Sequence, residues 1–168
     1  FEYDGFPNTL EWLIFTTNEL KKKKAKFIIK SHPNFYRKTS IKGINERAEW
    51  DKKIYTKFLR DMVEDDSILA INEPLLNYEL AKYLDNQKCI VITKHGTVQL
   101  EMIFHNFKVI TSKSNMLDPK YSLTNTWTNK SEYRNLLEMN WNELKFADKN
   151  EFFSVMKYLF LNDEMCYG

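Results

Sequence analysis

At 168 residues the chain can bury a sizeable core, and its 43% hydrophobic and 15% aromatic content excludes disorder as the main state. A net charge of +2, spread over 29% charged residues of both signs, excludes a bulk nucleic-acid binder. Two cysteines, Cys89 and Cys166, are too few for a disulfide scaffold, and no apolar run reaches the length of about 18 residues that suggests a membrane span.

The chain begins at Phe1 without a methionine and enters turn signals, Asp4-Gly5 and Pro7-Asn8, so it is expected to be a piece of a longer protein. Thr9 then caps a helix in which Leu10, Leu13, Ile14 and Leu20 share a face. It ends in Lys21–Lys24, a solvated end whose cations complement the dipole rather than a nucleic-acid patch. Ala25 to Lys30 reads as a strand. It stops at Ser31-His32-Pro33-Asn34, because Pro33 cannot continue a ladder and holds His32 extended. Phe35 to Asn45 is basic and aromatic and reads as a loop over that strand end. Glu46 to Glu64 carries Trp50, Ile54, Tyr55, Phe58, Leu59 and Met62 at helical spacing. A strand over Ser67–Ile71 ends at Asn72-Glu73-Pro74, and Asn77 caps a helix from Tyr78 to Leu84.

The stretch Lys88 to Thr111 organises the rest. Cys89–Thr93 is a short β-branched run of the kind a strand buried on both faces shows, with Cys89 a reduced, buried thiol. The polar turn Lys94-His95-Gly96-Thr97 follows, then a helix over Val98–Phe104 and a second strand over Lys108–Thr111. Parallel strands need such a crossover, so this is a βαβ unit. Ser112 to Lys130, rich in Ser, Thr and Asn, reads as an irregular excursion. Ser131 caps a helix over Glu132–Glu138, and Asp148–Asn162 sets Phe152, Val155, Met156, Leu159 and Phe160 on one core-covering stripe. The alternation predicts an α/β, Rossmann-like three-layer sandwich, a single domain over 1–168. Its mostly parallel sheet has strands at 26–30, 67–71, 89–93 and 108–111.

The chain has no CxxC, HExxH, GxGxxG, GxxxxGK[ST] or GxSxG pattern, and His32, His95 and His105 are not spaced as zinc ligands. Two strand-end turns, SHPN and KHGT, hold the remaining chemistry. An open α/β sheet places its ligand at the carboxyl ends of its strands, where backbone N–H groups favour an anion. At the second turn Gly96 admits a close backbone approach, Thr97 offers a hydroxyl, and His95 and Lys94 add donors and charge. Glu101, about one helical turn on, suits a ribose hydroxyl pair. Each residue also has a structural reading: Thr97 as an ordinary N-cap, Glu101 as a surface acid, His32 as a surface histidine.

"FIIKSHPN", "ILAINEPLLNYEL" and "IVITKHGTVQLEMIFHNFKVIT" together resemble the C-terminal half of GT-B glycosyltransferases of bacterial surface polysaccharides, nearest to the capsule-polysaccharide and Kdo-transferase-like groups. The resemblance runs over about residues 9 to 160 and includes the helix "EWLIFTTNEL". It implies one half of a GT-B fold that binds a CMP-, UDP- or CDP-linked sugar donor and passes the sugar to a glycan or lipid-linked acceptor. By the same resemblance His32 contacts the donor phosphate with Lys30, Ser31 and Pro33 beside it. Gly96 and Thr97 hold a phosphate, Glu101 the ribose, and Lys94, His95 and Asn72 line the same rim. His95 departs from the small or polar residue of many members. The catalytic acid or base is implied to lie in a separate N-terminal half, with no metal and no further cofactor. The implied location is cytoplasmic, with peripheral association of the full-length protein at the membrane's inner face. Two other readings stand beside this one: a nucleotide-sugar epimerase-like domain, and a non-catalytic α/β binding module. A receiver-type module would need an acidic cluster at strand ends, where this chain has His32, Asn72 and His95.

Overall fold

The computed structural model describes residues 4–31, 52–61, 67–71, 75–114 and 123–161. The expectations for His32, Pro33, Asn72 and the Phe35–Asn45 loop lie outside these residues. The chain is α/β, and it divides into two compact units, Leu10–Leu76 and Phe1–Thr9 with Asn77–Gly168.

The smaller unit carries helix α1 (Thr9–Lys22), strand β1 (Phe27–Lys30), helix α2 (residues 52–61) and strand β2 (Ile68–Ile71). β1 and β2 pair in parallel from Phe27↔Ile68 to Lys30↔Ile71. Ile29, Phe58, Leu59 and Ile68 form the core, with Leu10, Leu13 and Ile14 of α1 packed on it as the helical spacing requires. Thr16 and Thr17 are buried on α1 as well. Their hydroxyls donate to the Trp12 and Ile14 carbonyls at 2.7 and 3.0 Å, so neither is left unsatisfied.

The larger unit holds helix α3 (Asn77–Tyr83), strand β3 (Ile90–Thr93), helix α4 (Val98–Phe104), strand β4 (Lys108–Ser112), strand β5 (Asn125–Trp127), helix α5 (Lys130–Glu138) and helix α6 (Lys149–Leu161). The sheet order is β3-β4-β5, all parallel, so the described strands form two small sheets. Leu100, Met102 and Ile103 of α4 meet Phe107, Val109 and Leu123 in the core, and Phe152 and Val155 of α6 close it. The helical stripe expected over Asp148–Asn162 therefore covers the core at these two residues, with Met156 and Leu159 packed against it.

Several local expectations are corrected. The strand buried along its whole length is β4, the middle of the three, whereas β3 is half-buried up to Thr93. Cys89 is a free, half-buried thiol just ahead of β3. The expected excursion from Ser112 contains β5, a polar strand that no apolar alternation announces. It is tolerated because the Asn125 amide donates to the Val109 and Lys145 carbonyls at 3.0 and 3.1 Å and accepts from the Lys145 amide at 3.0 Å. The cap of α5 is Asn129, not Ser131: its side chain accepts from the Ser131 and Glu132 amides, both at 3.0 Å. Glu132 reaches back to the Thr128 amide and hydroxyl, and these hydrogen bonds hold its carboxyl below the usual range. Asn77 opens α3 as its first residue instead of preceding it.

At the amino end of the sheet, Lys108 is buried. Its ammonium donates to the Trp141 carbonyl at 2.6 Å and lies 3.6 Å from the centroid of the Trp141 ring and 4.7 Å from that of Phe146. Rings and a carbonyl stand in for water around this cation.

Candidate functional site

The βαβ unit forms as the sequence requires, with β3 and β4 in register from Ile90↔Lys108 to Thr93↔Thr111. Between β3 and α4 the chain turns through Gly96 at φ +104°, a conformation that glycine adopts freely. A Cβ built there meets nothing within 4 Å, so the backbone of the turn faces open space. His95, Gly96 and Thr97 are exposed. Thr97 holds the N-cap position of α4 but makes no side-chain cap bond. Its hydroxyl donates instead to Glu101 Oε1 at 3.2 Å, while Asn77 Nδ2 donates to Glu101 Oε2 at 2.9 Å. The Glu101 carboxylate is thus oriented by two neighbours, and each of its oxygens retains a second lone pair.

His95 is exposed as a residue, yet the protein around its ring disfavours the imidazolium. That desolvation is the largest influence lowering its proton affinity; the Lys94 ammonium adds to it and the Asp4 carboxylate opposes both. At neutral pH the ring is therefore a neutral donor rather than a cation.

Lys94 does not face the open turn. Its side chain is buried, 8% exposed, and its Nζ lies 3.2 Å from Oδ1 of Asp4, itself 3% exposed. Lys94 also donates to the Phe6 carbonyl at 3.2 Å. The Asp4 carboxylate collects further donors: the Ser112 hydroxyl at 2.7 Å, the Phe6 amide at 3.2 Å and the Ser114 hydroxyl at 3.5 Å. Asp4-Gly5-Phe6 is consequently a strap across the carboxyl ends of β3 and β4. Phe6 packs edge-on against Tyr133, with ring centroids 5.5 Å apart, and Tyr133 lies against Trp127 at the end of β5. Gly5, at φ +89°, passes so close to α5 that a Cβ would fall 2.6 Å from the Lys130 amide nitrogen.

Of the residues expected at the site, Lys94, His95, Gly96, Thr97 and Glu101 lie together on the turn and the start of α4. Lys30 and Ser31 belong to the other unit, where Ser31 is buried and donates to the Tyr55 hydroxyl at 3.2 Å. Asp4, Phe6, Ser112 and Ser114 were not expected there. Asp4-Gly5 reads as a turn signal, and nothing in linear spacing links residue 4 to residues 94 and 112. Gln99, in the first turn of α4, is 1% exposed, and neither side-chain polar atom has a hydrogen-bond partner among the described residues. No family model, curated protein or solved structure matches the chain.

Proposed function

We propose that the chain is the donor-nucleotide-binding half of a GT-B-type glycosyltransferase acting in bacterial capsule or other surface polysaccharide biosynthesis. In this reading the two units belong to one Rossmann-like domain of a longer two-domain enzyme, cytoplasmic and peripheral at the membrane's inner face. One observation carries it: a parallel strand–turn–helix–strand unit whose glycine turn, at the carboxyl end of β3, presents exposed backbone to open space. The resemblance of SHPN and KHGT to the polysaccharide glycosyltransferases supplies the ligand class, a CMP-, UDP- or CDP-linked sugar.

The Gly96 and Thr97 backbone holds a phosphate, neutral His95 donates one hydrogen bond, and Glu101, oriented by the Thr97 hydroxyl and Asn77, accepts from a ribose hydroxyl pair. The resemblance assigns His32 to donor-phosphate binding, together with Lys30, Ser31, Pro33 and Asn72. Lys94 contributes through its backbone, since its ammonium is engaged by Asp4. The sugar passes to a glycan or lipid-linked acceptor, with the catalytic group supplied by the other half of the enzyme.

Calorimetric or NMR titration of CMP, CDP, UMP and UDP into the full chain tests the reading. Millimolar or tighter binding with shifts at Gly96 and Thr97 is expected, weakened by His32→Ala and unaffected by His105→Ala. Silence with all four nucleotides refutes it. A second reading, a non-catalytic α/β binding module, is favoured by the in-chain ties of Glu101 to Asn77 and Thr97. Nucleotide binding that Glu101→Ala leaves unaltered would support it.

A further inference from the structure

We infer that Lys94, Ser112 and Ser114 form a phosphate-binding site at the carboxyl ends of β3 and β4, and that the Asp4 carboxylate occupies it in cis as a tethered competitor. The side chains that converge there from the sheet are all donors. Lys94 Nζ stands 3.2 Å from one Asp4 oxygen and the Ser112 hydroxyl 2.7 Å from the other; the Ser114 hydroxyl, 3.5 Å from that second oxygen, is paired at 2.7 Å with the Ser112 hydroxyl and supports it. The balancing charge comes from a segment 90 residues earlier in the chain than Lys94. Were the strap lifted, the Lys94 ammonium and the Ser112 hydroxyl would lose their anion, and a soluble anion can take its place.

The geometry favours a phosphoryl group over a carboxylate as the exchanging ligand. Asp4 offers two oxygens to four donors, and one of these, the Phe6 amide, leaves with the strap. Of the other three, Ser114 is turned to Ser112, and Lys94 regains the N–H it gives to the Phe6 carbonyl, so two N–H groups and one O–H face the incoming anion, matching the three terminal oxygens of a phosphate. A second cation stands nearby: the Lys130 ammonium lies 5.6 Å from the centroid of the Phe6 ring, and Lys94 lies 5.7 Å from it. The strap is anchored through Asp4 and the Phe6 ring, so an anion that displaces the first loosens the second.

This site adjoins the turn used in the nucleotide reading but does not require a nucleotide, and inorganic phosphate is the probe. Asp4→Asn keeps the shape of the strap and removes the competing charge. Phosphate should then bind the variant on the order of 100-fold more tightly than the wild type, the low end of what tethering confers. Thermal shifts in phosphate, against chloride at equal ionic strength, should be larger for Asp4→Asn than for the wild type, whose shift measures the general effect of the salt. Adding Lys94→Met to Asp4→Asn should abolish the difference. Equal binding and equal shifts in Asp4→Asn and wild type overturn the inference.

If Asp4→Asn does not fold, the wild type decides. Pyrophosphate at tens of millimolar should speed hydrogen exchange at the Phe6 amide, whose acceptor is Asp4, and an unchanged rate overturns the inference. Phosphate binding by Asp4→Asn with no response to any nucleotide would leave this site standing and defeat the nucleotide reading alone.

Discussion

The two ends of the three-stranded sheet each bury a lysine, and they neutralise it in opposite ways. At the carboxyl end Lys94 meets a carboxylate brought in by the strap; at the amino end Lys108 is wrapped by the Trp141 and Phe146 rings and one carbonyl. A carboxylate is a discrete anion that another anion can replace. Aromatic faces and a backbone carbonyl belong to the packing and have no soluble substitute. The end of the sheet where parallel-strand folds bind ligands is thus the end whose charge balance is exchangeable, while the opposite end is built for permanence.

The sharpest way to break the comparison is Lys94→Met. It leaves Asp4 buried without its counter-ion and should destabilise the fold by about 3–5 kcal/mol in a denaturant titration. A loss below that of Lys108→Met would invert the contrast drawn here. Next comes Glu101→Ala, which belongs to the carboxyl end but to its exposed rim. Nucleotide affinity should fall by about 1.5–3 kcal/mol, the worth of a hydrogen bond to a charged group. Stability should change by only about 0.5 kcal/mol, as at other surface positions. Lys108→Met keeps the volume of the side chain and forfeits the cation–ring attraction, at a cost of about 2 kcal/mol. It should leave phosphate and nucleotide binding unchanged.

The smallest effect concerns His95. Its NMR titration should lie below the usual histidine value, with Lys94→Met raising it and Asp4→Asn lowering it further. The linkage follows in sign. Because the folded value is depressed, the unfolded chain takes up the proton first, so stability is whole above the ordinary value of about 6.5. It declines as pH falls from there through the folded value. A His95 titration above the ordinary value would contradict the shielding described for the ring.

How much of this was legible follows from where each interaction lives along the chain. β3, α4 and β4 were readable because their pattern is local: an apolar run, a glycine turn, a helical stripe and a second apolar run within two dozen residues. The core contacts of α6 were readable at Phe152, Val155, Met156 and Leu159 for the same reason. β5 was hidden because Asn125 reverses the usual rule, earning its buried place through three backbone partners instead of an apolar side chain. The cap at Asn129 lay two residues ahead of the serine that composition suggested. At the candidate site, the Gly96 turn was visible in sequence and the inward turn of Lys94 was not. That orientation depends on Asp4, and a contact across 90 residues leaves no periodic trace.

The burial of Lys94 also bears on how the chain meets proteases. Residues 95–97 form an exposed turn, the kind of segment at which folded proteins are nicked. A trypsin-like enzyme recognises such a turn through a basic side chain that enters its specificity pocket. The basic side chain at the head of this turn is folded inward and held by Asp4 and the Phe6 carbonyl. The exposed loop is therefore masked from that class of protease for as long as the strap stays seated.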